Sequence, residues 1–126
     1  MVNILYKAKS IEEYIINFRR ELHEHPELSG QEFVTQEKIM RELDKLEIPY
    51  KKVGNTSLIA TLKGGKSGKT IALRADIDAL PINEEADVEF KSKTNGVMHA
   101  CGHDAHTAML LGAAKILSEM RDEIPG

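Results

Sequence analysis

From Ser10 to His23 the apolar positions Ile11, Tyr14, Ile15, Phe18 and Leu22 follow the spacing of a single helical stripe. This pattern predicts an amphipathic helix. Ser10 and Glu13 stand where a capping box would satisfy two orphan backbone donors, and Pro26 bars continuation. A second such pair, Ser29 and Glu32, opens a predicted helix running to about Leu46. Its inward positions are Phe33, Met40, Leu43 and Leu46, and Pro49 marks its end.

The pattern then changes to short strand-like runs, predicted at Tyr50–Val53, Ser57–Lys63 and Lys69–Ala75. Gly54-Asn55 reads as a turn, and Gly64 to Gly68 as a hairpin loop. The third run is the densest in apolar residues, which places it nearest the sheet centre. Residues 76–103 show no clear period. A last helix is predicted over Ala105–Met120, with Ala105, Ala108, Met109, Gly112, Ala113, Ile116, Leu117 and Met120 on one face. The small residues of that face would permit close packing on a sheet. The fold class is therefore α/β: two helices, a short sheet, then a helix.

The 126 residues correspond to one domain at most, enough to bury a core but not necessarily a whole enzyme. A hydrophobic fraction of 41% and a charged fraction of 29% exclude wholesale disorder. Seventeen basic against twenty acidic residues give a net charge of -3, so a nucleic-acid partner is not expected. No run reaches the ~18 apolar residues of a membrane span, and the opening MVNILYKAKS lacks the apolar core of a secretory signal. The single cysteine, Cys101, rules out an internal disulfide. A cytoplasmic location is expected, and no membrane partner. No internal repeat, low-complexity tract or linker interrupts the chain.

The chemistry concentrates in Met98-His-Ala-Cys-Gly-His-Asp-Ala-His106, which holds three of the five histidines and the only cysteine. Thiolate and neutral imidazole are good ligands for zinc-like metals. The spacing of Cys101 and His103 around Gly102 can aim both side chains the same way. A following helix N-terminus would favour the thiolate. The bland reading is a buried free cysteine beside surface histidines. A third makes Cys101 a nucleophile with His99, His103 or His106 as base, although such pairs usually join distant segments.

In Leu73-Arg-Ala-Asp-Ile-Asp-Ala-Leu-Pro81, Asp76 and Asp78 fall at the carboxyl end of the third predicted strand, where α/β sheets place their sites. If the strand continues, Arg74, Asp76 and Asp78 share one face. Either Arg74 pairs with a carboxylate, or one aspartate orients or ligates a metal group. His23 and His25 end the first predicted helix, where the dipole favours histidine. At i, i+2 they share no face, so they are not assigned to a metal. Gly68-Lys69-Thr70 resembles the end of a phosphate loop, but Lys63 stands where that motif needs glycine and no helix follows.

Three segments in order carry a resemblance: Arg19-Arg-Glu-Leu-His-Glu-His-Pro-Glu-Leu28, Leu73-Arg-Ala-Asp-Ile-Asp-Ala-Leu-Pro-Ile82 and Met98-His-Ala-Cys-Gly-His-Asp-Ala-His-Thr107. Together they resemble the metal-dependent amidohydrolases, the family of hippurate hydrolase, N-acyl-amino-acid amidohydrolases and auxin-conjugate hydrolases. That family lies within the wider aminoacylase and di-metal aminopeptidase superfamily. The similarity spans about Ile11 to Met120.

The resemblance implies that Cys101 and His103 match two metal ligands and Asp78 the catalytic aspartate that orients a metal-binding group. Asp76 falls where the wider superfamily commonly has a histidine ligand. The implied reaction is hydrolysis of the amide bond of an N-acyl amino acid, a small-molecule substrate. It uses two divalent ions from among manganese, zinc, cobalt and nickel, and a glutamate as base.

That glutamate, a further glutamate ligand and two more histidines lie beyond the last predicted helix in the family. Residues 1–126 are thus expected to be the N-terminal part of the catalytic domain, without its remainder or the lid domain. The alternative is a non-catalytic fragment that retains only metal-binding or protein-contact function. Glu84, Glu85 and Glu89 lie in the unpatterned segment, where nothing in the sequence fixes them. A sheet built to continue should expose an edge and an apolar face, so a homo-oligomer is expected.

Overall fold

The predicted stripe of the first long helix forms as expected. In a computed structural model describing residues 3–126, Phe18 and Leu22 are buried, on a helix spanning Glu12–Glu24. A short helix not foreseen from the pattern, Ile4–Ser10, precedes it. These are α2 and α1. α1 leaves Ile4, Leu5 and Tyr6 largely exposed, so it carries no buried stripe to read. The expected capping box at Ser10 and Glu13 does not form. Ser10 Oγ donates instead to the Lys7 carbonyl at 2.7 Å, because Ser10 ends α1 rather than opening α2.

The next helix, α3, spans Phe33–Lys45. Its expected cap is also replaced. Glu32 turns back to accept from the Gly30 N–H, while the Glu27 carboxylate accepts from Val34 N, Thr35 N and Thr35 Oγ1 at 3.1, 2.6 and 2.6 Å. This acceptor arrives from the preceding loop and satisfies orphan N–H groups of the first turn. Phe33, expected inside, is 53% exposed; Thr35, Gln36, Ile39 and Leu43 form the buried face.

Two strands follow. β1, Tyr50–Val53, pairs antiparallel with β2, Ser57–Ala60, with Tyr50 opposite Ala60 and Val53 opposite Ser57. The third expected strand is absent among the described residues. Residues 69–75 meet no ladder partner, and Ile71 and Leu73 are 82% and 61% exposed, so this run is not at a sheet centre.

The Gly64 to Gly68 segment is not a hairpin loop either. It grips the C-terminal residues, with Gly64 N–H donating to Gly126 O, Gly65 N–H to Arg121 O and Lys66 N–H to Ile124 O. A Cβ at Gly65 would lie 2.8 Å from Asp122 Cα, so only glycine admits this approach.

The last helix, α4, spans His103–Glu119, starting two residues before the expected boundary. It packs on α2 rather than on a sheet. A Cβ at Gly112 would meet Ile15 Cδ1 at 2.7 Å. Thr107, Ala108, Leu111, Gly112 and Ile116 are buried, whereas Met109 is exposed. One core joins Phe18 and Leu22 of α2, Ile39 and Leu43 of α3, Ile48, and Ala108 and Leu111 of α4. Burying each of the larger side chains contributes about 1.5–3 kcal/mol. The α/β order thus holds. The core fixes α4 on α2, which sets where the loop before α4 must lie.

Candidate metal centre

The loop before α4 turns at Gly102, whose φ of 90° lies in the left-handed region that glycine adopts without strain. This turn places His103 in the first helical turn, with Cys101 exposed two residues earlier. His103 Nδ1 is 2.9 Å from Asp78 Oδ1 and 3.1 Å from the Asp78 carbonyl. Both partners accept, so Nδ1 carries the proton and donates, and Nε2 is the ring nitrogen not engaged by Asp78. The segment bearing Asp78 is anchored on both sides. Thr107 Oγ1 donates to the Asp76 carbonyl at 3.1 Å, and Ala79 N–H donates to the Glu27 carbonyl at 2.8 Å.

The other expected candidates scatter. No strand aligns Arg74, Asp76 and Asp78. Arg74 pairs with Asp76 on the surface at 2.8 Å, and its guanidinium holds the Asp76 carboxyl below the usual range. His106 is exposed, its ring centroid 6.2 Å from that of His103. His99 is 5% exposed, and neither of its ring nitrogens has a partner among the described residues. It is therefore not hydrogen-bonded to Cys101 as a base. Burial lowers its pKa and favours the neutral ring. Among the described residues no three His, Cys, Asp or Glu side chains converge on one point.

A buried polar network lies behind the loop. Asp104, fully buried, accepts at Oδ2 from Arg19 Nε at 2.7 Å and lies 2.8 Å from His23 Nδ1. His23 Nε2 is 2.6 Å from Glu84 Oε1, and Glu84 Oε2 accepts from the Ser92 N–H. Burial works against ionisation of both carboxyls. The bonds to His23, joined by Arg19 at Asp104 and Ser92 at Glu84, outweigh it and hold both below the usual range. His23 thus spans two carboxylates, one at each ring nitrogen. Phe90 closes the network. The guanidinium carbons of Arg19 and Arg20 lie 5.1 and 4.9 Å from its ring centroid, and His23 meets it edge-on.

The sequence pattern missed this network. His23 is a buried bridge rather than a dipole-favoured surface residue, and Glu84 is fixed rather than free in an unpatterned loop. One signal was available: Arg19 and His23 are four apart, bordering the stripe of Phe18 and Leu22, so both face the core margin.

Residues 72–126 match the family described as Peptidase family M20/M25/M40. The chain is 53% identical over 121 residues to thermostable carboxypeptidase 2 of Saccharolobus solfataricus, covering 94% of this chain and 31% of that protein. It is 52% identical over 113 residues to an N-acyl-L-amino acid amidohydrolase of Geobacillus stearothermophilus, covering 89% and 30%. In three dimensions it matches the crystal structure of the Bacillus subtilis YXEP protein, described as a dinuclear metal binding peptidase from the M20 family. That match has a TM-score of 0.89 at 50% identity, over 94% of this chain and 34% of that one. The resemblance read from the three motifs is borne out: residues 72–126 match this family model, and nearly the whole chain is similar in sequence and fold to M20 peptidases and amidohydrolases. It spans about 30% of the length of the curated relatives it matches.

Proposed function

We propose that this chain contributes one wall of a di-metal site that hydrolyses the amide bond of small N-acyl amino acids or peptides. The observation that carries the reading is the hydrogen bond from His103 Nδ1 to Asp78 Oδ1, 2.9 Å long. A carboxylate on one ring nitrogen fixes the tautomer and turns the other toward a metal, the usual arrangement of histidine ligands. The donor set fits such a group, since Cys101 is an exposed thiol two residues before His103, and cysteine sulfur and imidazole nitrogen are good ligands for zinc-like metals.

In this reading Cys101 Sγ and His103 Nε2 hold metal, and Asp78 orients His103. When bound, two divalent ions (manganese, zinc, cobalt or nickel) activate water and polarise the scissile carbonyl. Catalytic sites use about three protein ligands per zinc, and the described residues assemble fewer. The remaining ligands and the base therefore belong to the portion of the M20 architecture outside residues 1–126, which form the N-terminal part of its catalytic domain. A cytoplasmic location belongs to the same proposal, supported by an exposed free thiol suited to a reducing compartment. Self-association also belongs to it, supported by the exposed Ile71 and Leu73.

Elemental analysis tests the assignment. Wild type should retain more metal than Cys101→Ala or His103→Ala, and equal content in all three overturns it. With hippurate or N-acetyl amino acids and added metal, the 126-residue chain alone should show no turnover. Metal-dependent turnover abolished by His103→Ala would instead make the chain a self-sufficient enzyme and remove the need for ligands from elsewhere.

A further inference from the structure

The metal loop is short and, at Cys101, exposed, yet the residue directly after His103 is one of the most deeply buried in the chain. Asp104 gathers Arg19 and His23 from α2 onto one carboxylate oxygen, at 2.7 and 2.8 Å. His23 passes the connection to Glu84 at 2.6 Å, and Glu84 takes the Ser92 N–H. Two independent contacts seal the same seam. The Phe90 ring lies against the guanidinium groups of Arg19 and Arg20, and Lys93 N–H donates to the Glu24 carbonyl at 2.8 Å. The network thus ties two separate segments, α2 and residues 84–93, to the residue beside a proposed ligand in the first turn of α4.

We propose that Arg19, His23 and Glu84 are positioning residues that act through Asp104 to set the orientation of Cys101 and His103. This rests on the metal-binding reading above and assigns a role to the first motif, Arg19 to Leu28, which supplies no ligand in that reading. An interaction aimed only at stability could be met by an apolar seam, at lower desolvation cost than buried charges. A charged bridge with fixed donor and acceptor directions instead sets one angle for the turn that bears His103.

Cobalt titration of the 126-residue chain tests this, read through the thiolate-to-cobalt absorption that Cys101→Ala should lack. His23→Gln and Arg19→Met should each weaken cobalt binding, by up to about tenfold, the lower end of the range for partners bonded directly to a ligand. Arg19→Lys, which keeps a charged donor, should recover most of the loss. Ile39→Val, a core change away from the loop, controls for stability and should leave affinity unchanged. In the metal-free protein, hydrogen exchange at residues 104–110 should quicken in His23→Gln, while β1 and β2 stay as in wild type.

Unchanged affinity and exchange in His23→Gln overturn the proposal, as does an equal affinity loss in Ile39→Val. If wild type shows no cysteine-dependent absorption, the metal reading fails instead. The exchange comparison then decides the positioning role, and unchanged protection at 104–110 overturns it.

Discussion

His23 Nδ1 and Asp104 Oδ2 stand 2.8 Å apart, 81 positions apart in the chain. They join the last turns of α2 to the first turn of α4, and with Glu84 on the other ring nitrogen they make His23 a buried bridge between two carboxylates. The bridge gives the fold an acid-sensitive point. Glu84 has a depressed folded-state pKa, because His23 and the Ser92 N–H outweigh the opposing effect of burial. Its contribution is fully present above the unfolded carboxylate value of about 4.3 and is lost as pH falls through the lower folded value. Glu84→Gln should therefore be less stable than wild type at pH 7, by roughly 1.5–3 kcal/mol for a charged buried hydrogen bond. The gap should narrow in acid, as urea unfolding at pH 7 and at pH 3 would show. A constant gap would mean that charge at Glu84 contributes nothing.

The cap of α3 gives a second expectation. Glu27 accepts three hydrogen bonds at its N-terminus, and Val34 N and Thr35 N are backbone donors with no other side-chain partner shown. Glu27→Ala should cost about 1–2 kcal/mol, the range for loss of a good cap. Ser29→Ala and Ser10→Ala should cost little, since neither serine caps the helix for which its position suited it. Denaturant midpoints of the three variants would check the order.

How far the fold was legible follows from where its partners lie. Phe18, Leu22 and Leu43 were readable because an amphipathic stripe is a local property, and all three lie in the core. The Tyr50–Val53 strand was readable from its short strand-like run and the turn pair directly after it. The caps were misread because the local rule searches within four residues, while Glu27 reaches Thr35 across eight. Residues 69–75 look like a strand, but a strand needs a ladder partner, and periodicity does not show one. Within the site, the Cys101 to His103 spacing was visible as a motif. The Arg19, His23, Glu84 and Asp104 network was not, because its bonded pairs lie 61 to 85 residues apart and only folding brings them together.

The α2–α4 contact makes a third prediction. A Cβ at Gly112 would lie 2.7 Å from Ile15 Cδ1 and 2.8 Å from Cγ1. Alanine gains about 1 kcal/mol of helix propensity over glycine, which offsets much of the strain of moving the end of one side chain. Gly112→Ala should be close to neutral. Gly112→Val adds two further carbons against a β-branched neighbour and should cost about 1–3 kcal/mol. Thermal unfolding of both variants separates the cases, and equal stability would show that the interface can yield.

The last prediction concerns Asp78 and its size can be bounded. His103 Nδ1 has two acceptors from one residue, the Asp78 carboxylate at 2.9 Å and its own carbonyl at 3.1 Å. Removing the carboxylate leaves the carbonyl in place, because Thr107 and Ala79 hold that stretch of backbone through other bonds. The tautomer should therefore survive in Asp78→Ala, while the electrostatic support for a metal-bound ring is lost. Outer partners of metal-binding histidines typically contribute 10- to 100-fold in affinity. With one of two acceptors retained, the loss should fall at the lower end, about tenfold. Asp78→Asn keeps an acceptor oxygen without the charge and should fall between Ala and wild type. Competition titration of cobalt or zinc into the three proteins measures this order. A loss in Asp78→Ala as large as in His103→Ala would show that the carbonyl does not hold the ring. No loss at all would show that Asp78 does not support a metal-bearing histidine.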